Sequence, residues 1–346
     1  MMRGACIAVA ALALIAGAPT AARTQEPVCV ARGALDQAYC DADRDLVADP
    51  PVDRTRWRNP PILTISMWPE ERLELAKSAM EPLVDHLARC AAKRVAQMQI
   101  VNAATQIEAM RAGRLHVTLV LPERMPMAVN VAGAVPFAIP ATATATLSTR
   151  VQLVVRAGPG AEGIGSLRGK TVVHRGRGDL LGDLVVRGLL PRIGITPGSD
   201  YTIVNVADDD QALAALNDGR AHAAVVSPRG IARLVATQPA ARDRYRRLWE
   251  SAPIPPAGWV HAHDLVPALR DRVAQCMREY RFPEAMRAVF GEADRVVAAT
   301  YARDWEAVRI VAETVDLPRT RGAHDAEFKA SAAHAGGGSD YVLPLR

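Results

Sequence analysis

Hydrophobic and polar positions alternate between strand-like and helix-like segments from about residue 62 onward. Residues 70–89 and 104–112 carry apolar side chains at the spacing of one helix face. Short apolar runs of strand length lie around them, at 62–67, 95–101 and 115–121. This alternation predicts parallel strands with helices on the faces of the sheet.

A second set of the same units follows Gly158. Strands are predicted at 170–174, 201–206 and 221–226, and helices at 180–193 and 208–218. Two extended stretches connect the sets, at 132–156 and 249–263. If each set forms one lobe, these two extended segments cross between the lobes, which is typical of a hinge. We therefore expect an α/β fold of two lobes, each a sheet flanked by helices, joined by a two-strand hinge.

The expected organisation has five parts. They are a signal peptide (1–22), a Cys-bearing N-terminal segment (23–60), a first lobe (61–145 and 255–317), a second lobe (146–254) and a flexible tail (318–346). The helical stretch at 265–317 is expected to pack back on the first lobe. The tail contains Gly336 to Gly338, which favours disorder or loose docking.

The first residues have the pattern of an export signal. Arg3 provides a positive start, 7–16 is an apolar run, and Thr20 to Ala22 offers small residues for cleavage. The apolar run is about half as long as the roughly 20 residues needed to span a bilayer. The mature protein is thus expected to be exported and soluble.

Export brings cysteines into an oxidising compartment. Without Cys6 four remain, an even number that permits two bridges. Cys29 and Cys40 flank a short loop and are predicted to form a disulfide. Cys90 and Cys276 would have to meet across the fold, so the sequence leaves open whether they pair or stay as buried thiols.

Composition narrows the choice of partner. The formal net charge is +5, but the arginines are scattered and aromatic residues make up only 4%. This pattern argues against nucleic-acid binding, whereas a mildly basic surface suits a small anionic ligand.

Motifs for catalysis are missing. The chain has no G-x-S-x-G, H-E-x-x-H or Cys-x-x-Cys sequence. His261 and His263 share one strand face but have no third ligand nearby. We expect no catalytic site, no cofactor and no metal at these histidines.

Asp41, Asp43, Asp45 and Asp49 have the alternating carboxylates of a calcium loop. The turn glycine and the closing bidentate Glu of such a loop are absent, which favours a solvated acidic turn. The sequence leaves calcium binding open.

The stretch from His174 to Gly182 lies at a predicted junction between a strand and a helix. The first amides of a helix are unpaired and its dipole is positive there, so this junction suits an anion. Arg175 and Arg177 add positive charge. An exposed basic loop whose helix is capped by Asp179 is the competing interpretation.

Several segments carry a family resemblance, in order and at matching spacing. They are 33–51, 106–117, 128–139, 167–174, 262–265 and 300–305. These segments resemble the phosphate/phosphite/phosphonate substrate-binding proteins of ABC transporters. The resemblance implies a two-lobed type II periplasmic-binding fold with two mixed sheets. It also implies a periplasmic location, a transporter permease as partner and a monomer that closes on its ligand.

The resemblance also places the ligand between the lobes. The predicted ligand-binding residues are Ser66, Met67, Trp68, Glu123, Arg124 and His261 in the first lobe, and His174, Arg175, Gly176, Arg177, Gly178, Asp179, Asp209 and Ser227 in the second. Hydroxyl-rich loops of the family are replaced here at 66–68, 122–125 and 175–182. The expected function is a solute-binding protein for a phosphonate-like or related small anion. The alternatives are a receptor that signals instead of transporting, or an enzyme on the same scaffold.

Overall fold

The computed structural model describes residues 29, 31–67, 73–159 and 163–334. Its strands are β1 (Ile62–Ser66), β2 (Arg94–Gln97), β3 (Val117–Val120), β4 (Ala134–Ala141), β5 (Gln152–Arg156), β6 (Thr171–Arg175), β7 (Thr202–Val206), β8 (Ala223–Val226), β9 (Tyr245–Glu250), β10 (Gly258–Ala262) and β11 (Arg295–Ala298). Its α-helices are α1 (Leu73–Cys90), α2 (Ala103–Arg111), α3 (Met125–Ala132), α4 (Val185–Leu189), α5 (Asp209–Asn217), α6 (Pro228–Thr237), α7 (Pro267–Glu279), α8 (Glu284–Phe290), α9 (Tyr301–Asp304), α10 (Glu306–Thr314) and α11 (Arg321–His334).

The first sheet has the strand order β11-β4-β10-β3-β1-β2. β1 runs parallel to β2 and β3, whereas β10 is antiparallel to both of its neighbours, β3 and β4. All five residues of β10 are buried, since this strand lies in the middle of the sheet. The chain therefore leaves the first sheet after β4 and returns to its centre at β10.

The second sheet has the order β7-β6-β8-β5-β9. β6 is parallel to β7 and β8, and β5 is antiparallel to β8 and β9. The prediction of two mixed sheets flanked by helices is confirmed. In open α/β sheets the ligand crevice lies outside the carboxyl ends of the parallel strands. The loops after β1, β3, β6 and β8 are therefore the places to look for a site.

The packing of the C-terminal helices differs from the expectation that 265–317 lies on the first lobe alone. α7 and α8 do pack against α1, but α10 packs against α4, the helix that follows β6 in the second sheet. The contact is close, because a Cβ at Gly188 would lie 2.7 Å from Cα of Val311. The same segment also contributes β11, which the helical pattern did not predict.

Residues 321–334 of the predicted tail form α11, which lies against α2 and α3. His324 is fully buried and its Nε2 lies 3.3 Å from Oε2 of Glu108. Its ring stacks on that of Phe328, one helical turn later. Since the rest of the helix is polar or small, the hydrophobic pattern was too weak to indicate it. Residues 335–346 lie outside the described residues.

Two disulfides link the chain, Cys29–Cys40 and Cys90–Cys276. The first holds the N-terminal segment, where Tyr39 donates its hydroxyl to the carbonyl oxygen of Val131 in α3 at 3.3 Å. The predicted signal peptide falls outside the described residues. Within those that are described, no helix is long and apolar enough to cross a membrane.

Candidate functional site

The loop after β6 turns sharply towards the following helix. Gly176 and Gly178 have φ angles of +59° and +79°, a region that other residues rarely adopt. The helix opens with a π-helical turn, Leu180–Leu184, that continues into α4. Asp179 caps this turn, because its Oδ1 accepts a hydrogen bond from the Gly182 amide at 2.6 Å. The cap occupies one of the amides that an anion would use.

His174 lies beneath this loop instead of in the cleft, which corrects the prediction that it contacts a ligand. It is fully buried, with Nδ1 2.8 Å from Oδ1 of Asp183 and Nε2 2.9 Å from the Tyr201 hydroxyl. Asp183 also accepts from the Gly178 amide at 3.0 Å. Burial alone would raise the pKa of Asp183, but the hydrogen bonds from His174 and Gly178 bring it below its ordinary value. This network fixes the loop from inside the lobe.

Asp209 is the centre of a second network, at the start of α5. Its carboxylate is buried and accepts from the Ser227 hydroxyl at 2.6 Å and the Ser227 amide at 3.1 Å. Ser227 in turn caps α6 by accepting from the Gly230 amide at 3.0 Å. Arg175 Nη1 lies 3.4 Å from Asp209, and Nη2 lies 3.8 Å from Asp179. These four predicted residues thus come together at the carboxyl edge of the second sheet.

Arg177 is exposed on the same loop. No ion pair or hydrogen bond joins its guanidinium to the residues that the structure describes. Because Arg175 is held by carboxylates, Arg177 is the cation on this loop that is available to a ligand.

The first sheet contributes less than predicted. Ser66 is fully buried, with Oγ 2.7 Å from Oγ1 of Thr118, and Gln106 donates to that same Thr118 oxygen at 2.7 Å. Met67 is also buried, in the core. Both therefore support β1 and do not face a cleft, while Trp68 falls outside the described residues. The hydrogen bonds of Thr118 with Ser66 and with Gln106 had no signal in the sequence.

His261 is likewise structural. It is buried in β10 beside the Phe137 ring, and Nδ1 lies 3.0 Å from the Ala262 carbonyl oxygen. Burial lowers the pKa of His261 to about 4. An imidazole with that pKa is neutral at pH 7 and supplies no charge for an anion.

The loop after β3 forms a short 3-10 turn at Pro122–Arg124. Arg124 is paired with Glu327 of α11 at 2.9 Å, a partner that the sequence did not indicate. Glu123 is half-buried. Burial raises its pKa, and the negative charge of Asp179 in the other lobe adds to the rise. Glu123 follows β3 and Asp179 follows β6, so each carboxylate lies on a loop at the carboxyl end of a strand that has a parallel neighbour.

The sequence of this chain matches a known protein family over most of its length. Residues 65–305 match the model of the family described as ABC transporter, phosphonate, periplasmic substrate-binding protein. The chain belongs to this family. The family resemblance seen in the sequence is thereby confirmed.

Solved structures show the same fold. XAC2383 from Xanthomonas citri, bound to chloride, has a TM-score of 0.53 and 16% identity, covering 74% of this chain and 99% of that one. The same protein bound to ATP has a TM-score of 0.52 and 14% identity, covering 75% and 99%. PhnD1 from Prochlorococcus marinus, in complex with methylphosphonate, has a TM-score of 0.48 and 12% identity, covering 75% and 100%. The two XAC2383 structures, whose TM-scores exceed 0.5, show that this chain shares their fold.

Membership of this periplasmic binding-protein family gives the general role. Its members bind small-molecule substrates and work with the permeases of ABC transporters, so the family is one of transport and not of catalysis.

Proposed function

We propose that this protein delivers to an ABC importer a small phosphonate-like anion whose charge is lower than that of a phosphonate dianion. The observation that carries the proposal is that Asp179 caps the start of the helix after β6, where an anion would bind, and that Arg175 lies 3.4 Å from the Asp209 carboxylate. A ligand held between this loop and the loop after β3 would meet the carboxylates of Asp179 and Glu123.

The available positive charge supports the same ligand class. Arg124 is paired with Glu327, and Arg175 lies between Asp179 and Asp209. Arg177 is left to bind an anionic group. One available arginine and two carboxylates suit a singly charged oxyanion better than a dianion. They also suit an oxyanion that carries an ammonium group, which could pair with Glu123 and Asp179.

The hydrogen-bond donors lead to the same conclusion. The Ser227 hydroxyl donates to Asp209 and the Gly182 amide donates to Asp179, so neither is offered to a ligand. Each missing donor leaves a ligand oxygen desolvated, at a cost of roughly 1–3 kcal/mol. We therefore expect simple phosphonates and phosphate to bind no tighter than roughly the high micromolar range.

The raised pKa of Glu123 predicts that anion binding strengthens as pH falls. An acid whose pKa is raised takes up its proton at a higher pH than usual, so acidification removes one of the two repelling charges. Ethanesulfonate is the suitable probe, because a sulfonate keeps a single negative charge throughout. Calorimetry should show affinity rising about threefold to tenfold between about pH 8 and about pH 5, a change worth roughly 0.7–1.4 kcal/mol.

Glu123→Gln is the matched variant. It removes the charge at every pH, so the affinity should be high at about pH 8 and almost independent of pH. A pH dependence of the same size in this variant would show that Glu123 does not face the ligand.

Asp179→Ser should improve the binding of methylphosphonate about tenfold. The change removes a negative charge at the helix start, while a Ser hydroxyl still caps the helix. Asp218→Ser is the control, since Asp218 carries the same charge in an exposed pair with Arg220. Submicromolar methylphosphonate binding by the unmodified protein would contradict the proposed ligand class.

A further inference from the structure

Three carboxylates converge in the segment between the first disulfide and β1. Asp41, Asp43 and Asp45 each present one oxygen, and these oxygens all lie within 4.8 Å of one another. Asp49 joins the same loop, because its Oδ2 accepts a hydrogen bond from the Ala42 amide at 2.6 Å. Asp43 and Asp45 are exposed, whereas Asp41 is only 3% exposed.

The buried carboxylate is incompletely satisfied. Oδ2 of Asp41 accepts from the Leu46 amide at 3.2 Å, but Oδ1, also buried, has no hydrogen-bond partner in the described part of the chain. Burying a charged oxygen without a partner is unfavourable, so such groups are normally paired or bound to a metal. A cation placed among these oxygens would relieve this cost.

The backbone has the turn that a calcium loop requires. Counted from Asp41, Leu46 is the sixth residue, the position at which such loops have a glycine. Leu46 has a φ of +72°, so the chain makes the left-handed turn without the glycine. The ninth residue is Asp49, another position that supplies a calcium ligand directly or through water.

We propose that Asp41, Asp43 and Asp45, with Asp49 beside them, form a calcium site that attaches the N-terminal segment to the first lobe. The donors are all oxygens on an irregular loop, a set that suits calcium better than zinc or the strictly octahedral magnesium. The twelfth position is Val52, so the bidentate Glu is missing. The dissociation constant is therefore expected on the order of 0.1–1 mM, the range of extracellular calcium modules.

The position of the loop explains what the ion would stabilise. The Asp49 amide donates to the Cys40 carbonyl oxygen at 2.8 Å, next to the Cys29–Cys40 bridge. Tyr39 in turn reaches the end of α3. The ion would close the loop between the bridge and the linker to β1, so that the segment stays on the lobe.

The test uses the mature protein with intact disulfides, freed of metal by a chelator and then titrated with calcium chloride in a calorimeter. Millimolar calcium should raise the melting temperature by a few degrees, and magnesium should bind about tenfold more weakly or worse. The double variant Asp43→Asn/Asp45→Asn should weaken calcium binding at least about tenfold. Both side chains are exposed, so the variant should fold normally.

Asp85→Asn/Asp243→Asn is the matched control, because it neutralises two exposed carboxylates outside the cluster. It should keep the full response to calcium. Asp41→Asn should melt at a higher temperature than the unmodified protein without calcium, since it removes a buried charge, and should lose the calcium response. The absence of a calcium-dependent shift in the unmodified protein, or an equal shift in the Asp43/Asp45 variant, would overturn the proposal.

Discussion

Replacing both Cys90 and Cys276 with Ser should lower the free energy of unfolding by about 3–5 kcal/mol. The bridge joins the end of α1 to α7, and the two cysteines are 186 residues apart in sequence. In the chain-entropy description, a disulfide restricts the unfolded chain more as the closed loop becomes longer. For a loop of this length the expected stabilisation lies near the top of the usual range.

The Cys29/Cys40 double Ser variant is the matched control. Its bridge closes a sequence separation of only 11 residues, so the loss should be smaller, about 2–3 kcal/mol. Urea unfolding of the two mature variants and of the unmodified protein, without reductant, measures both losses of unfolding free energy. A larger loss in the Cys29/Cys40 variant would show that packing of the N-terminal segment outweighs loop length.

Asp209→Asn should lower the free energy of unfolding by about 2–4 kcal/mol, because it removes one charge from a buried network. The carboxylate accepts two hydrogen bonds from Ser227 and lies 3.4 Å from Arg175. The two donors bind different carboxylate oxygens, and Asn keeps only one of these as an acceptor, so one bond is lost. Arg175 also loses its buried counter-charge.

Asp210→Asn tests whether the burial of Asp209 causes this effect. Asp210 is the next residue and also pairs with an arginine, Arg233, but both side chains are mostly exposed. Such surface pairs contribute about 0–1 kcal/mol, so the variant should be nearly as stable as the unmodified protein. Equal losses in both variants, measured by urea unfolding, would contradict the assigned role of Asp209.

Helices with one polar face and strands between them were predictable from the sequence. β6 and α5 begin within one residue of the predicted starts, since each combines a clear hydrophobic period with a turn signal. α3 was missed because all eight of its residues are buried, so no polar face marks the helical period. α11 was missed for the opposite reason, that few of its residues are apolar.

The sequence by itself determined the α/β class, the two sets of units, the chain crossings and the loops that follow the strands, because these follow from local hydrophobic periodicity and turn residues. The tertiary structure decided which side chains in those loops are available. It buried His174 against Asp183 and Tyr201, and paired Arg124 with Glu327 across 203 positions of sequence. Periodicity reports which face of an element is buried, whereas the partner of a polar group depends on contacts between distant segments that form only when the chain folds.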